Sequence, residues 1–188
     1  MVAKSPLRKE DWADAALAAL AEGGLPAIAV EPIAARLGAT KGSFYWHFKN
    51  RAALVEATLE RWAEQHTESL IRELEAEPEP RERLRGLFAQ VFVSRPVHRT
   101  ELALLAKAED PMVAPVLARV TARRVEFIVD CLSGMGCSAE EARQRAVLAY
   151  TAYVGLIQAQ RASADTLLSP AERGPYLDFL WLAIGGEG

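Results

Sequence analysis

The chain has 188 residues, 51% of them apolar, with 22 Lys and Arg against 25 Asp and Glu and a formal net charge of −3. That supplies a real core for one compact body or two small domains. No apolar run reaches 18 residues, which excludes a membrane-spanning helix. The opening MVAKSPLRKEDW carries bases but no apolar stretch, so no signal peptide is expected and the location is read as cytoplasmic.

The first helix is predicted over Lys9 to Glu22, with Trp12, Ala16, Ala19 and Leu20 on its apolar face. Gly23-Gly24 stops it and Pro26 prevents a restart. The next stretch, Val30 to Arg51, reads VEPIAARLGATKGSFYWHFKNR. Ile33 and Leu37 are four apart on one helix face. Gly38 follows where a left-handed residue is needed to end that helix. Thr40 is placed to cap a second short helix. Phe44 and Phe48, again four apart, can both turn back toward Ile33 and Leu37. Two short helices joined by a tight glycine turn form a helix-turn-helix, and the first helix packs across the pair to complete a three-helix head.

With Phe44 and Phe48 turned inward, the outward face carries Lys41, Gly42, Ser43, Tyr45, Trp46 and His47, then Lys49 and Arg51. Three adjacent aromatic side chains cannot all face a core, because each helical residue turns about 100°. Long donors, aromatic hydroxyls and one glycine that admits close approach suit the phosphates and base edges of a DNA groove. The charge distribution agrees in sign. Residues 1–55 hold seven bases against five acids, leaving fifteen against twenty in the rest. Lys4, Arg8 and Lys9 ahead of the first helix read either as a solvated tail or as an arm that adds phosphate contacts.

The run Gly38-Ala39-Thr40-Lys41-Gly42-Ser43-Phe44-Tyr45-Trp46-His47-Phe48-Lys49-Asn50-Arg51, with Leu54 three further on, resembles the DNA-binding domain of the tetracycline-repressor (TetR) family. The Tyr-x-His-Phe run and the following Leu are that family's most recognisable marks. The resemblance covers roughly residues 8–55. Ala29-Val30-Glu31-Pro32 departs from it, standing where many members carry a threonine whose hydroxyl meets a phosphate. Within the head, Thr40, Tyr45, His47 and Lys49 are expected mainly to hold phosphates. Lys41, Ser43 and Trp46 are the candidates for base contact, and Gly42 gives close approach.

Asn50 is placed to cap a long helix reaching to about Glu75, with Leu59, Trp62, His66 and Leu70 as its buried stripe. About 25 residues at 1.5 Å each make a rod of roughly 38 Å, long enough to act as a lever. Pro78 and Pro80 end it within EAEPEPRE. The second half reads as helices throughout. Leu84, Leu87, Phe88, Val91 and Phe92 mark one, stopped by Pro96, and Leu102 and Leu105 mark a shorter one. Asp110-Pro111 is an N-cap followed by proline at the first helical position. The helix after it carries Val113, Leu117, Val120, Phe127 and Cys131 and ends at Gly134. Ser138 and Glu141 form a capping box that opens a helix bearing Ala142, Ala146, Ala149, Tyr150, Tyr153 and Ile157.

That helix has a second stripe, of small residues: Ala152, Gly155, Ala159 and Ala162. The last helix is apolar nearly all round, YLDFLWLAI from Tyr176 to Ile184. Helices apolar on every side are buried somewhere, and the expected cover is the same pair from a second subunit about a two-fold axis. Ala152, Gly155, Ala159, Ala162, Phe179, Leu180 and Ala183 are the expected interface. The family resemblance implies the same arrangement, a four-helix dimer bundle. Two recognition helices related by a two-fold axis read a near-palindromic operator.

Trp62, His66, Phe88, Phe92, Leu105, Phe127, Tyr150 and Tyr153 form either an ordinary core or a pocket for an apolar or aromatic small molecule. The resemblance implies that ligand binding in this body moves the long helix and respaces the heads. Cys131 and Cys137 read as free thiols. No metal-binding spacing and no nucleophile elbow or phosphate loop is present, so neither a metal, a cofactor nor an enzyme is expected. The expected fold is all-α with about nine helices, a helix-turn-helix domain over 1–55 and a helical regulatory and dimerisation domain over 56–188. The expected function is a homodimeric DNA-binding regulator with a small-molecule effector. Repression follows from the family alone, and an activator or a helical protein–protein adaptor stays open as an alternative.

Overall fold

The computed structural model describes residues 6–94, 99–162 and 168–186, the side chains of 93–94, 160–162, 170 and 173 excepted. Every regular element among the described residues is a helix. In chain order they are α1 (Lys9–Gly23), a 3₁₀ turn (Leu25–Ala27), α2 (Val30–Leu37) and α3 (Lys41–Phe44). The long helix α4 follows in three stretches: Arg51–Ala63, a π-helical turn at Glu64–Glu68, and Ser69–Glu75. Then come α5 (Pro80–Phe88), continued by a second π-helical stretch (Ala89–Ser94), α6 (Arg99–Leu105), α7 (Val113–Gly134), α8 (Ala139–Ala162) and α9 (Pro170–Gly185). No described helix is long and apolar enough to cross a membrane.

The chain divides into two compact units, Met1–His66 with Arg99–Ala118, and Thr67–His98 with Arg119–Gly188. This does not coincide with a division at residue 55. The first stretch of α4 carries Leu54, Val55, Leu59 and Trp62 into the buried core, and both it and α6 pack on α1. Those helices therefore belong with the head. The boundary falls inside the π-helical turn of α4 and inside α7.

In the first unit the apolar face of α1 is buried as its spacing requires, with Trp12, Ala16, Ala19 and Leu20 all in the core. Trp12 meets Phe44 edge-on at 5.5 Å, and Phe44 stacks on Phe48 at 5.5 Å. Asp14 on α1 accepts from Arg61 Nε at 2.6 Å and Nη2 at 2.9 Å, and from Gln65 at 3.0 Å. This fork ties α1 to α4. The hydrogen bond from Arg61 is the main reason the Asp14 carboxyl lies below its ordinary range. The Asn50 cap is present, its Oδ1 accepting from the Ala53 amide at 2.9 Å.

The second unit has its own core, built from Leu70, Ile71, Leu84, Phe88, Ile128, Leu132, Ala142, Ala146, Leu180 and Ile184 among others. Arg123 bridges Glu68 at 3.5 Å and Glu75 at 3.0 Å. Arg145 on α8 donates to the Ile184 carbonyl at 3.1 Å, satisfying an end of α9 that has no intrahelical partner. Cys131 is buried and Cys137 half-buried, both as free thiols. Burial pushes the Cys131 thiol up to about 11.

Several element boundaries differ from expectation. α7 is regular from Val113, since Pro115 has no amide to give the Pro111 carbonyl, but Asp110 caps the entry as expected, its Oδ1 accepting from the Met112 amide at 2.9 Å and its carbonyl from the Ala114 amide at 2.9 Å. Only the hydroxyl half of the Ser138 box is seen, the Glu141 amide donating to Ser138 Oγ at 3.3 Å. The Glu141 carboxylate pairs with Arg145 at 2.7 Å instead. Pro96, expected to stop the fifth helix, lies outside the described residues.

Candidate nucleic-acid interface

The glycine turn forms as its sequence dictates. Gly38 has φ 64° and ψ 35°, a left-handed geometry that favours glycine. The Ala39 amide donates to the Ala34 carbonyl at 2.8 Å and the Gly38 amide to Ala35 at 3.1 Å, which closes the end of α2. Thr40 then caps α3, its Oγ1 accepting from the Ser43 amide at 3.1 Å while Ser43 Oγ donates back to the Thr40 carbonyl at 2.7 Å.

The second helix of the motif is shorter as an α-helix than the expected Lys41–Phe48. α-Helical geometry ends at Phe44. The amides of Tyr45, Trp46 and His47 donate to Gly42, Ser43 and Phe44, three residues back, at 3.2, 3.3 and 2.9 Å. The chain thus tightens into a 3₁₀-like turn. A run of Gly, Ser and aromatic residues has little intrinsic preference for extending an α-helix.

The sidedness is decided by the rings. Phe44 is 0% and Phe48 2% exposed, while Trp46 is 86% and Tyr45 55% exposed. Thr40, Lys41, Gly42 and Lys49 are exposed on the same segment, and Ser43 and His47 are half-buried. The His47 ring lies 6.3 Å from Trp12. A Cβ built on Gly42 would meet nothing nearer than Thr40 Oγ1 at 3.6 Å. The folded subunit therefore does not require glycine there.

Arg51 is exposed as well, but its guanidinium is turned to the backbone. Its Nε donates to the Ile28 carbonyl at 2.5 Å and its Nη2 to the Leu25 carbonyl at 2.7 Å. It closes the loop between α1 and α2 onto the start of α4, and its planar fork is spent on the protein's own backbone. Lys41 is engaged too, Nζ donating to Glu31 Oε1 at 2.7 Å. That hydrogen bond holds the Glu31 carboxyl below the usual carboxylate range and raises Lys41 above the usual lysine value. Neither the Arg51 brace nor the Lys41–Glu31 pair has a periodic signature, since both join residues far apart in sequence. Lys9, flagged only as part of a basic start, holds its ammonium over the Phe48 ring at 5.4 Å.

The expected pocket residues separate between the two units. Trp62, His66 and Leu105 belong to the first, and Phe88, Phe92, Phe127, Tyr150 and Tyr153 to the second. Within the second, Phe92 meets Phe88 at 5.2 Å and Tyr153 at 6.2 Å, Tyr150 lies 6.5 Å from Tyr153, and Arg124 sits 5.9 Å over the Tyr153 ring. The Tyr150 hydroxyl shares a hydrogen bond with Thr121 Oγ1 at 2.8 Å.

On α8 and α9 the expected interface residues are sorted by the subunit's own packing. Leu180 is buried in the second unit's core, and Ala152 is half-buried and packs against that core. Ala159 is half-buried, Gly155 and Ala183 are exposed, and Phe179 is 66% exposed. The side chain of Ala162 lies outside the described residues. Val147, Leu148 and Leu182 are exposed as well. The small-residue stripe does not point to Val147 and Leu148, because on α8 these large apolar residues lie one turn ahead of it.

The sequence profile described as "Bacterial regulatory proteins, tetR family" matches residues 13–58. The HTH-type transcriptional regulator TtgR of Pseudomonas putida is 30% identical over 156 residues, covering 80% of this chain and 70% of TtgR. The chain belongs to the TetR family. Against other curated relatives it spans 56% or 64% of their length. The TetR fold extends over nearly the whole chain. The reduced form of NemR from E. coli superposes with a TM-score of 0.80 at 17% identity, covering 96% of this chain and 99% of that one. A transcriptional regulator from Saccharomonospora viridis in complex with choline superposes with a TM-score of 0.73 at 16% identity, covering 92% and 94%. As a TetR-family member the chain is a DNA-binding transcriptional regulator, and the exposed segment around Trp46 lies within the matched region.

Proposed function

We propose that this regulator is a homodimeric repressor. It binds a near-palindromic operator through the segment Lys41–Phe48 and is released by a small apolar or aromatic ligand. The observation that carries the reading is the sidedness of that segment. Two phenylalanines are sunk in the core while Trp46 and Tyr45 stand in solvent beside Lys41. An indole exposed to that degree gains by contact with sugar or a thymine methyl group. Thr40, Tyr45, His47 and Lys49 hold phosphates. Lys41, Ser43 and Trp46 reach base edges, and Gly42 lets the backbone come close. Arg51 acts as a brace and not as a DNA contact.

The dimer is supported by the apolar strip of Val147, Leu148, Gly155, Phe179, Leu182 and Ala183, which the subunit leaves exposed. The ligand is supported by the aromatic group of Phe88, Phe92, Tyr150 and Tyr153 with the Thr121–Tyr150 hydrogen bond, and by the choline found in one solved neighbour. Release requires only that the ligand bind one conformation better than the other.

Selection of bound duplexes from a random pool tests the central claim. A palindromic consensus, bound with affinity that falls steeply as salt rises, is the expected result. Recovery of no consensus and no salt dependence would overturn it. Titrating the selected complex with a panel of hydrophobic cations and aromatics then tests release.

A further inference from the structure

In the folded subunit the cation of α3 is already engaged. Glu31, in the first turn of α2, accepts from Lys41 Nζ at 2.7 Å, with the two side chains 72% and 58% exposed. Packing does not force this contact, since both groups are at the surface. An acid in the first turn of α2 is already favoured by the partial positive charge of the helix N-terminus. Arg36 at the other end of α2 is likewise paired with Glu22 at 2.5 Å. The cations that α2 and α3 carry thus approach DNA with carboxylates attached.

We infer that Glu31 is a specificity-determining residue for DNA binding, holding the Lys41 ammonium in register for a base edge and making it a poor partner for phosphate. The inference rests on the reading that α3 faces DNA. An ammonium has three donors and no acceptor. Lys41 can keep one N–H on Glu31 and direct another at the O6 or N7 acceptor of a guanine, both of which are neutral. A phosphate is different. It competes with Glu31 as an anion for the same cation, and it brings its own charge close to the carboxylate, where like charges repel. With Glu31 in place, contact with an arbitrary stretch of backbone releases less counterion. Contact with the right base carries no such penalty. The carboxylate therefore weakens wrong complexes more than the right one, which is how specificity is set.

Glu31→Gln keeps the shape and removes the charge. The full chain is titrated at 50 to 200 mM salt against the duplex recovered by selection and against a random-sequence duplex of the same length. For the variant, binding to the random duplex tightens roughly threefold at 50 mM, and its log–log salt slope steepens by about 0.9, the share of one phosphate contact. Binding to the selected duplex changes less, so the ratio between the two falls, and preference broadens at the base that Lys41 reads. Adding Lys41→Ala removes the extra slope. An unchanged slope and ratio in a variant that melts normally overturns the inference, as does equal tightening on both duplexes. Glu31→Ala repeats the measurement if Glu31→Gln folds poorly. A wild-type chain that binds neither duplex in a salt-dependent way overturns the placement of DNA on α3 together with the inference. Steep salt dependence in the wild type with an indifferent Glu31→Gln overturns the inference alone.

Discussion

A methyl group added at Gly42 meets only Thr40 Oγ1, at ordinary contact distance. Gly42→Ala should therefore fold at least as well, with a gain of up to about 1 kcal/mol in denaturant unfolding from reduced chain entropy. Operator affinity should fall by roughly 1–3 kcal/mol, the worth of one lost base-edge contact. A variant that loses stability, or binds DNA undiminished, contradicts the close approach assigned to this position. Asp14 behaves in the opposite manner, as a residue of the fold and not of the interface. Its carboxyl is lowered chiefly by the hydrogen bond from Arg61. The stability it contributes is therefore complete above its unfolded value of about 3.8 and is lost as pH falls through the lower folded value. The side chain is 43% exposed, so solvent screening limits the contribution to about 0.2–1 kcal/mol. Asp14→Asn should lower the melting temperature slightly at pH 7 and flatten the acid limb of the stability curve, leaving DNA binding intact.

The glycine turn, the Thr40 and Asn50 caps, and the four-residue spacings of α1 and of Phe44 with Phe48 were all legible in the sequence. Each depends on groups within a few residues of one another. Two elements were not. Nothing local marks the π-helical turn in α4, since its neighbours read as ordinary helix, and nothing marks the tightening of α3 after Phe44. The role of Arg51 was also hidden. On a sequence diagram it sits at the tail of a basic face, yet its guanidinium is drawn to carbonyls of Leu25 and Ile28, more than twenty residues earlier. This separates two cations that look equivalent. Arg51→Ala should leave the Ile28 carbonyl without its donor, the Leu25 carbonyl keeping the Ile28 amide at 3.2 Å, and cost about 1–3 kcal/mol in unfolding, with little change in the salt slope of DNA binding measured well below the melting temperature. Lys49→Ala should do the reverse, leaving the melt intact and reducing the slope by about 0.9.

For the molecule as a whole, the proposed dimer rests on the exposed apolar side chains of α8 and α9. Phe179 and Leu182 are large, apolar and exposed on a helix whose other face, through Leu180 and Ile184, completes the subunit's core. Phe179→Glu should leave helix content unchanged by circular dichroism and halve the mass seen in sedimentation. Half-site binding should persist weakly while palindrome binding collapses, because two tethered heads act at high effective concentration and two free ones do not. A Phe179→Glu chain that still sediments as a dimer would move the interface elsewhere. The sequence marked these helices as doubly apolar. It could not say which apolar residues the subunit would keep for itself, because that depends on how α8 and α9 rotate against the remaining helices.

The two thiols, six residues apart, differ in a way that is useful at the bench. With its pKa pushed to about 11, Cys131 is thiolate in only about one molecule in ten thousand at neutral pH, and burial shields what little there is. Cys137, in the turn ahead of α8, is only half-buried. A maleimide dye should attach once per native chain and twice per denatured one, as counted by intact mass. The wild-type protein thus has a single natural tether for a fluorophore, from which assembly with a second copy can be followed without changing a residue.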